Sequence, residues 1–381
     1  MKKLVIFDDL FFTFANTGIA RVWRSLFELS DLRDRLDRSD LDVLILNRSG
    51  ALLDLPFDTI DFPKLDLSKP SLDRLAIDRV LQYYKADLFV SSYYTFSHFC
   101  ENLFVAYDMI PENFAFENLN AVWNERQLSI LTSEHFLAIS DSTKNDLTRY
   151  YPWIEKDKVS VAYPAINREL FKRANQSEID LFAKKHGLSS YFVFVGSRAA
   201  EYKNSQLIFE LLKKHKFEET FVFVGGGGFS QSEKSNLGNN HILQLDLNDE
   251  ELVACLSGAD CLIYPSLYEG FGIPPLEALA VGTPVVTTSR ASLPEVVGNL
   301  SVFIGGDSAD ELLEALRSCQ NAMWKRHVQE HGPSWSRGFT WEKFADGFIS
   351  SCLKAIATSG NNHEIKELIL NFTHKSGRML N

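Results

Sequence analysis

Two glutamates eight residues apart are the strongest candidates for chemistry in this chain. Glu269 precedes a glycine-punctuated loop at 270–272, and Glu277 lies one turn into a helix whose start is marked by Pro274 and Pro275. A helix N-terminus preceded by glycine amides offers donors to anions, and ionised carboxylates accept hydrogen bonds from hydroxyl groups. The pattern therefore indicates a ligand that carries both phosphate and sugar hydroxyls.

This spacing leaves two roles open for the glutamates. They fit an acid and base pair that moves protons, and they fit two hydroxyl acceptors that position a ligand. A basic loop favours the second role. Arg198 and Lys203 follow Gly196, between an apolar run at 191–195 and an amphipathic helical pattern. Such cations are ordinarily solvated surface residues, but at a strand end beside a phosphate ligand they make good diphosphate clamps.

A run of four glycines at 225–228 follows a second apolar run in the same half of the chain. A dinucleotide fingerprint requires a helix that starts at the glycines and an acidic residue at the end of the next strand. The sequence shows neither feature clearly. We therefore do not predict a dinucleotide site there.

The first half of the chain offers three further candidates after apolar runs. Gly18 follows the run at 4–7, and Tyr107 and Asp108 follow an apolar run that begins at residue 103. In open parallel sheets, ligands bind outside the carboxyl ends of the strands. Gly18 fits either a tight turn or a close backbone approach to phosphate or sugar, and Asp108 fits either a ligand contact or a cap on the following turn.

Short apolar runs alternate with helical patterns along the whole chain. This alternation predicts an α/β protein with two doubly wound parallel sheets and a helical tail. The predicted strands cover or begin at residues 4–7, 42–46, 87–92, 103, 136–140, 159–162, 191–195, 221–224, 242–245, 261, 285–288 and 300–304, and tail helices are predicted around 339–342 and 363–372. We place the domain boundaries at 1–167, 168–340 and 341–381.

Composition excludes several classes of protein. The 381 residues carry a formal net charge of −11, which disfavours a broad nucleic-acid-binding surface. No apolar run reaches the ~20 residues that span a bilayer, and the first apolar run is cut short by Asp8 and Asp9, so we expect a cytoplasmic protein. The five cysteines show no C-x-x-C pairing, so we expect reduced packing residues and neither disulfides nor a zinc site.

With these residues assembled, the sequence resembles the retaining nucleotide-sugar glycosyltransferases of the family 4 group. The resemblance is most specific at 264–280, which contains an E-x7-E motif, and at 282–286 and 292–296 behind it. Residues 196–204 are similar to the family's basic phosphate loop, and 17–19 to its N-terminal glycine turn. The resemblance implies the GT-B architecture, in which two Rossmann-like domains face each other and a helical tail packs toward the N-terminal domain.

The resemblance also implies roles for individual residues. Glu277 should accept hydrogen bonds from the ribose, and Glu269 from hydroxyls of the donor sugar. Main-chain groups near the strand at 242–245 should contact the base. The remaining residues implied at the donor site are Gly18, Gly196, Arg198, Lys203, Leu243, Leu245, Gly270, Phe271, Gly272 and Ile273.

One position departs from the family. Where many members carry His-Asp near the donor sugar, this chain has Tyr107 and Asp108, and a tyrosine cannot become cationic. Arg198 and Lys203 are expected to stabilise the departing diphosphate in place of a metal ion. The family implies retention of configuration through a front-face displacement in which the leaving phosphate helps to take the acceptor's proton.

The implied reaction is transfer of a hexose to a saccharide or lipid-linked acceptor in polysaccharide synthesis. We expect glucose as the sugar and favour UDP-glucose over GDP-mannose, with no further cofactor. A lipid-linked acceptor would bring the protein to the inner face of a membrane as a peripheral protein. Two alternatives stay open: a nucleotide-sugar-binding subunit without transfer activity, and a phosphorylase or sucrose-type synthase with the same architecture.

Overall fold

A computed structural model describes residues 2–14, 18–114 and 121–358. The chain divides into two compact units. The first consists of Met1–Pro164 with Trp341–Asn381, and the second of Ala165–Thr340. Each unit is built around its own parallel sheet.

The sheet of the first unit has seven strands in the order β3-β2-β1-β4-β5-β6-β7, and every described pair is parallel. Strand β1 therefore has β2 on one side and β4 on the other. The strands are β1 Lys3–Asp8, β2 Leu41–Asn47, β3 Asp58–Asp61, β4 Leu88–Ser91, β5 Glu101–Ala106, β6 His135–Ala138 and β7 Val159–Val161.

Helices cover this sheet, and its central strands β4 and β5 are buried along their whole length. They are α1 Gly18–Phe27, α2 Leu32–Arg38, α3 Pro70–Tyr84, α4 Ile110–Asn113, α5 Ala121–Thr132 and α6 Asp141–Tyr150, followed much later in the chain by α15 Trp341–Thr358. Ile77 and Leu81 of α3 pack against Ile6, Leu44 and Phe89 of the strands. Helix α15 lies against β5 and β6, so the tail belongs to the first unit.

The sheet of the second unit has six strands in the order β10-β9-β8-β11-β12-β13, all parallel. The strands are β8 Tyr191–Val195, β9 Thr220–Val224, β10 Ile242–Leu245, β11 Cys261–Tyr264, β12 Val285–Thr288 and β13 Ser301–Ile304. The helices are α7 Gln176–His186, α8 Ser205–Lys214, α9 Gln231–Ser235, α10 Asp249–Gly258, α11 Ile273–Ala280, α12 Leu293–Val297, α13 Ala309–Cys319 and α14 Ala322–Ser336.

Phenylalanines dominate the core beside β8 and β9. Phe192 packs on Phe221 and Phe194 on Phe223 across the two strands, and the ring of Phe209 from α8 stacks on Phe223 with centroids 5.7 Å apart. Aromatic pairs between neighbouring strands stabilise a sheet and its register. This core holds the carboxyl end of β8 in place.

The two parallel sheets confirm the predicted doubly wound α/β architecture. The prediction missed β3, which pairs with β2 at the edge of the first sheet. Its sequence, DTID, has one strongly apolar residue, so no apolar run marks it. The tail helix expected at 363–372 lies outside the described residues.

Four of the five cysteines are buried, as expected of packing residues. They are Cys255, Cys261, Cys319 and Cys352. Burial raises the pKa of the Cys255 and Cys352 thiols, so both stay protonated and poorly reactive at neutral pH.

Candidate functional site

The strand order of the second unit creates a switch point between β8 and β11. The chain continues from β8 to β9 on one side and leaves β11 for β12 on the other, so the loops after these two strands separate. Ligands of open α/β sheets bind at such a point, outside the carboxyl ends of the strands. The loops are residues 196–204 and 265–272, and they contain Lys203, Arg198 and Glu269.

Lys203 and Glu269 meet across the switch point. The Lys203 Nζ lies 2.7 Å from Oε1 of Glu269 and donates a second hydrogen bond to the Tyr264 hydroxyl at 2.8 Å. Both charged side chains are largely buried, with 16% and 10% exposed. An ammonium has three N–H groups, so one remains for a ligand. This pair joins a cation from one loop to a carboxylate from the other.

Helix α11 begins immediately after the glycine loop. Gly272 precedes its first residue with φ of 109°, a conformation that side chains rarely adopt, and Pro274 and Pro275 follow in the first turn as predicted. Glu277 lies in this helix and is buried. The sequence therefore located the helix start and both glutamates correctly, and their contacts with a ligand stay predictions.

Residues outside the predicted set hold the Glu269 loop. The Ser292 hydroxyl lies 2.9 Å from the carbonyl of Glu269 and 2.7 Å from that of Phe271. The Asn204 amide donates to the carbonyls of Pro265 and Gly306. Short polar residues at loop ends gave only a weak signal in the sequence, because such residues also form ordinary turns.

Arg198 occupies a different environment from Lys203. Its guanidinium donates to Glu233 Oε1 at 2.9 Å, to Gln244 Oε1 at 2.6 Å and to the carbonyls of Gly225 and Gly227 at 3.1 and 2.5 Å. Its carbon Cζ also lies 4.3 Å from the ring centroid of Phe229. Only 2% of the side chain is exposed, and four of its five N–H groups are used.

The glycine run after β9 wraps closely around Arg198. Gly225, Gly226 and Gly227 all have positive φ, and helix α9 starts only at Gln231. A Cβ added to Gly226 would lie 3.0 Å from the Gly196 carbonyl oxygen and 3.1 Å from the main-chain nitrogen of Arg198. The start of α9 at Gln231 confirms that no helix starts at the glycines. The close contacts of Gly226 with Gly196 and Arg198 explain why a residue without a side chain is needed in this turn. A cavity of about 570 Å³ lies beside this turn and the start of α8.

Leu243 and Leu245 lie on β10, the edge strand of the second sheet, and both are half-buried. The Leu245 carbonyl accepts from the amide of Gly225 at 3.0 Å. That main-chain group is therefore already paired within the sheet. Recognition of a base by this strand stays a prediction.

In the first unit, the candidates Tyr107 and Asp108 lie beside a buried ion pair of Arg126 with Glu112, and the Arg126 guanidinium donates to the Asp108 carbonyl at 3.1 Å. Tyr107 is buried and donates its hydroxyl to the Ser92 carbonyl at 3.0 Å, and burial raises the pKa of its phenol well above 10. Asp108 accepts from the amide of Ile110 at 3.0 Å, which confirms its alternative role as a cap on the following turn. Both side chains thus have structural contacts within the unit, and their predicted catalytic roles stay untested.

Gly18 is the exposed first residue of α1, and a Cβ added there would meet no atom of the described residues within 4 Å. Thr17, which belongs to the predicted glycine turn, lies outside the described residues. Packing against the described part of the chain therefore does not require glycine at this position. Its contact with a donor stays a prediction.

One family match covers the part of the chain that contains the site in the second unit. Residues 177–327 match the family described as "Glycosyl transferases group 1". The match covers less than half of the chain. The matched residues include both loops of the switch point, together with Lys203, Glu269 and Glu277.

Several curated relatives are named as mannosyltransferases. O-antigen chain mannosyltransferase B of Escherichia coli is 38% identical over 95 residues, 25% of each chain. O-antigen chain mannosyltransferase RfbU of Salmonella typhimurium is 26% identical over 208 residues, 51% of this chain and 53% of that protein. The chain thus spans about a quarter to about half of the length of these relatives.

Solved structures match over nearly the whole chain. Sucrose-phosphate synthase from Thermosynechococcus elongatus has a TM-score of 0.70 at 16% identity, with 93% of this chain and 100% of that chain covered. Anabaena HepE, in complex with UDP-glucose, has a TM-score of 0.71 at 16% identity, with 92% and 99% covered. The fold is therefore the GT-B-like α/β fold with two Rossmann-like sheets and a C-terminal helix, as predicted.

Within the ranges that the structure describes, no helix combines the length and apolar character needed to cross a membrane. The same ranges contain no group of three or more His, Cys, Asp or Glu side chains placed to hold a metal ion. Metal independence and peripheral membrane contact both stay predictions.

Proposed function

We propose that this protein is a glycosyltransferase that moves a hexose from a nucleoside diphosphate sugar to a saccharide acceptor in polysaccharide synthesis. The observation that carries the proposal is the Lys203–Glu269 pair, with Nζ and Oε1 2.7 Å apart at the switch point of the region that matches group 1 glycosyl transferases. A cation for the diphosphate and a carboxylate for hydroxyl groups are what a nucleotide sugar requires.

In the proposed reaction, the bond between the anomeric carbon and the diphosphate oxygen breaks, and a new bond forms to the acceptor oxygen. The acceptor's proton passes to the leaving phosphate. Lys203 stabilises the charge that grows on the leaving diphosphate, because its third N–H is available and its position is fixed before reaction. Retention of configuration and independence of a metal ion remain part of the proposal.

Glu269 and Glu277 serve in this proposal as hydroxyl acceptors. Glu269 is held by Lys203 and by the fixed glycine loop, which favours a constant position over a proton-carrying role. Glu277 is fixed by its place in the buried helix α11. We assign Glu269 to the donor sugar and Glu277 to the ribose.

Arg198 has a different role in this proposal from the diphosphate clamp expected from sequence. Its guanidinium is buried against Glu233, Gln244 and the carbonyls of the glycine turn. Four of its five N–H groups are already donated within the chain, so at most one is left for a phosphate, and only 2% of the side chain is exposed. We therefore propose that Arg198 holds the glycine turn and that Lys203 is the principal cation for the diphosphate.

The relatives' names favour mannose as the hexose. The matches to mannosyltransferase B and RfbU reach 38% and 26% identity, whereas the likeness to UDP-glucose-bound HepE carries information on the fold alone. We propose a mannosyl donor as the first candidate and UDP-glucose, which the sequence favoured, as the second. An O-antigen-like saccharide is the proposed acceptor.

A donor panel tests the function and the sugar together. UDP-glucose, UDP-galactose, GDP-mannose and the free nucleotides are screened for an increase in Tm, since ligands that bind the native state stabilise it. The stabilising donor is then incubated with saccharide acceptors and the products are analysed by mass spectrometry. Binding without transfer or donor hydrolysis would favour the non-catalytic subunit, and release of sugar 1-phosphate in the presence of phosphate would favour a phosphorylase.

A further inference from the structure

Tyr264 is the last residue of β11 and is completely buried. Its hydroxyl accepts the hydrogen bond from Lys203 Nζ at 2.8 Å, and Nζ lies 5.1 Å from the centroid of its ring. The Glu269 carboxylate lies near enough to this hydroxyl to raise its pKa. Tyr264 therefore contacts Lys203 directly and lies close to Glu269, the other member of the ion pair at the switch point.

The phenol of Tyr264 stays neutral while it makes these contacts. Burial raises its pKa well above 10, and the nearby Glu269 carboxylate raises it further. A neutral phenol has one proton to donate and lone pairs to accept. Its lone pairs accept from the Lys203 ammonium, which also donates to Glu269, so Lys203 joins the phenol to the carboxylate.

A lysine side chain has large rotational freedom, which must be lost before its ammonium acts at one point. Two acceptors, Glu269 and Tyr264, hold the Lys203 ammonium and leave one N–H for a ligand. We propose that Tyr264 is a positioning residue that fixes Lys203 beside Glu269 for contact with the diphosphate. This inference rests on the proposed function.

Other contacts join the two loops without Tyr264. The main-chain N–H of Leu267 donates to the Tyr202 carbonyl at 2.7 Å. The side-chain amide of Asn204 donates to the Pro265 carbonyl at 3.2 Å. The backbone of Tyr264 is held by the Thr287 hydroxyl at 2.8 Å. Loss of the phenolic hydroxyl therefore leaves the loops joined and the strand in place, so its effect is confined to Lys203 and Glu269.

The chain supplies a matched control for this hydroxyl. Tyr191 is equally buried at the start of the neighbouring strand β8, where its hydroxyl donates to the Cys255 carbonyl at 2.8 Å. Tyr264→Phe and Tyr191→Phe each remove one buried hydroxyl from the same sheet. Both variants should lose a similar free energy of unfolding in urea. A difference in kcat between them would therefore result from the location of the Tyr264 hydroxyl beside Lys203 and not from a loss of folded protein.

Steady-state kinetics with the active donor provide the first readout. Tyr264→Phe should lower kcat about ten- to hundredfold, the effect of losing a hydrogen bond to a charged group, with KM for the donor changed much less. Tyr191→Phe should keep kcat within about twofold of the wild type. Equal kcat values for Tyr264→Phe and the wild type would overturn the inference.

A double variant tests whether Tyr264 acts through Lys203. If it does, Tyr264→Phe combined with Lys203→Met should be no slower than Lys203→Met alone, because the positioned group is already missing. A double variant slowed by the product of the two single effects would show that Tyr264 acts by another route and would overturn the inference.

The rate at which an amine reagent labels Lys203, followed by mass spectrometry, can be measured without sugar transfer. Tyr264→Phe should increase the labelling rate of Lys203 severalfold, since Nζ loses a partner, and Tyr191→Phe should leave it unchanged. An unchanged rate in Tyr264→Phe would contradict the positioning role even in a protein that transfers no sugar. Absence of transfer by folded wild type with every donor would instead count against the proposed function.

Discussion

The Lys203–Glu269 pair is weakly solvated, and this decides how its two residues respond to substitution. Each side chain is at least 84% buried by the neighbouring loops, with 16% of Lys203 and 10% of Glu269 exposed. A charge in such a place depends on its partner, because water screens and solvates it poorly. Removal of the lysine therefore affects both the chemistry and the fold around Glu269.

We expect Lys203→Met to lower kcat/KM for transfer by about 10²- to 10³-fold, as for other pre-positioned groups that stabilise developing negative charge. The variant should also lose about 1–3 kcal/mol of stability, since the Glu269 carboxylate is left without its cation. Transfer kinetics and urea unfolding measure the two effects. The control is Lys185→Met, which breaks an exposed pair with Glu251 on α7 and α10 and should leave kcat/KM unchanged.

Arg198 and Glu233 form an ion pair between a buried guanidinium and a partly exposed carboxylate, and the pH dependence of stability reports on this pair. Burial alone would raise the pKa of the Glu233 carboxyl, but hydrogen bonds from Ser230 and Arg198 outweigh it and lower that pKa below 4.5. The folded state thus favours the ionised carboxylate. Its contribution to stability is complete above the unfolded pKa near 4.5 and is lost as pH falls through the lowered folded value.

We therefore expect Glu233→Gln to lose about 1–3 kcal/mol of stability at pH 7 and progressively less below pH 4.5. Urea unfolding at pH 7, 5 and 4 measures the difference from wild type. Glu251→Gln is the matched control, because Glu251 is also the capping-box glutamate of its helix and pairs with a cation at the surface. An equal loss of unfolding free energy in the two variants would mean that the Arg198–Glu233 pair contributes no more to stability than the exposed Lys185–Glu251 pair.

The glycine turn shows how an element is shaped around one side chain. Gly226 has φ of 77°, and the space where a Cβ would lie is bounded by the Gly196 carbonyl and the main chain of Arg198. Gly228, two residues later, has ordinary φ and open space around it. The same residue type therefore has different requirements within one run of four.

Gly226→Ala should destabilise the protein by about 2–3 kcal/mol, since the left-handed conformation and the close contact both penalise a side chain. Gly228→Ala should change stability by less than about 0.5 kcal/mol. Thermal unfolding of the two variants tests the difference. Equal stabilities would mean that the turn relaxes around the added methyl group.

Sequence patterns predicted this element only in part. The apolar runs placed β8 and β9 within a residue of their observed bounds and β11 at its observed start, because buried parallel strands are largely apolar. The two glutamates and Lys203 were found because motif residues lie at fixed distances from those strands. The separate environments of Arg198 and Lys203 could not be predicted, because their difference depends on Glu233 and Gln244, which lie 35 and 46 residues from Arg198.

The six strands of the second sheet follow the same order as the first six of the first sheet, but the polar residues at the two switch points differ. In the first unit, the polar residues beside β1 bind one another. All five N–H groups of Arg48 are donated, to Asp8, Asp73 and the Pro63 carbonyl, and Thr95 donates to Asp8 at 2.6 Å. This network stabilises the unit and leaves none of the Arg48 donors for a ligand.

Each unit also contains a glycine within a helix that packs tightly against a neighbouring segment of the same unit, so the packing of each unit can be tested by its own substitution. A Cβ added to Gly347 of α15 would lie 2.6 Å from the Ala162 Cβ in the first unit. A Cβ added to Gly332 of α14 would lie 2.5 Å from the Leu279 carbonyl of α11 in the second unit. Alanine normally stabilises a helix interior relative to glycine, so destabilisation at either position would report the tertiary contact.

We expect Gly347→Ala and Gly332→Ala each to lose about 1–3 kcal/mol, the range for overpacking of a well-packed core. The two variants should differ in their affinity for the nucleotide of the donor. Gly332→Ala displaces α11, which carries Glu277, and should weaken nucleotide binding severalfold in calorimetry, whereas Gly347→Ala should leave that affinity nearly unchanged. Weaker nucleotide binding in Gly347→Ala than in Gly332→Ala would contradict the assignment of donor binding to the second unit, because α15 packs on the strands of the first.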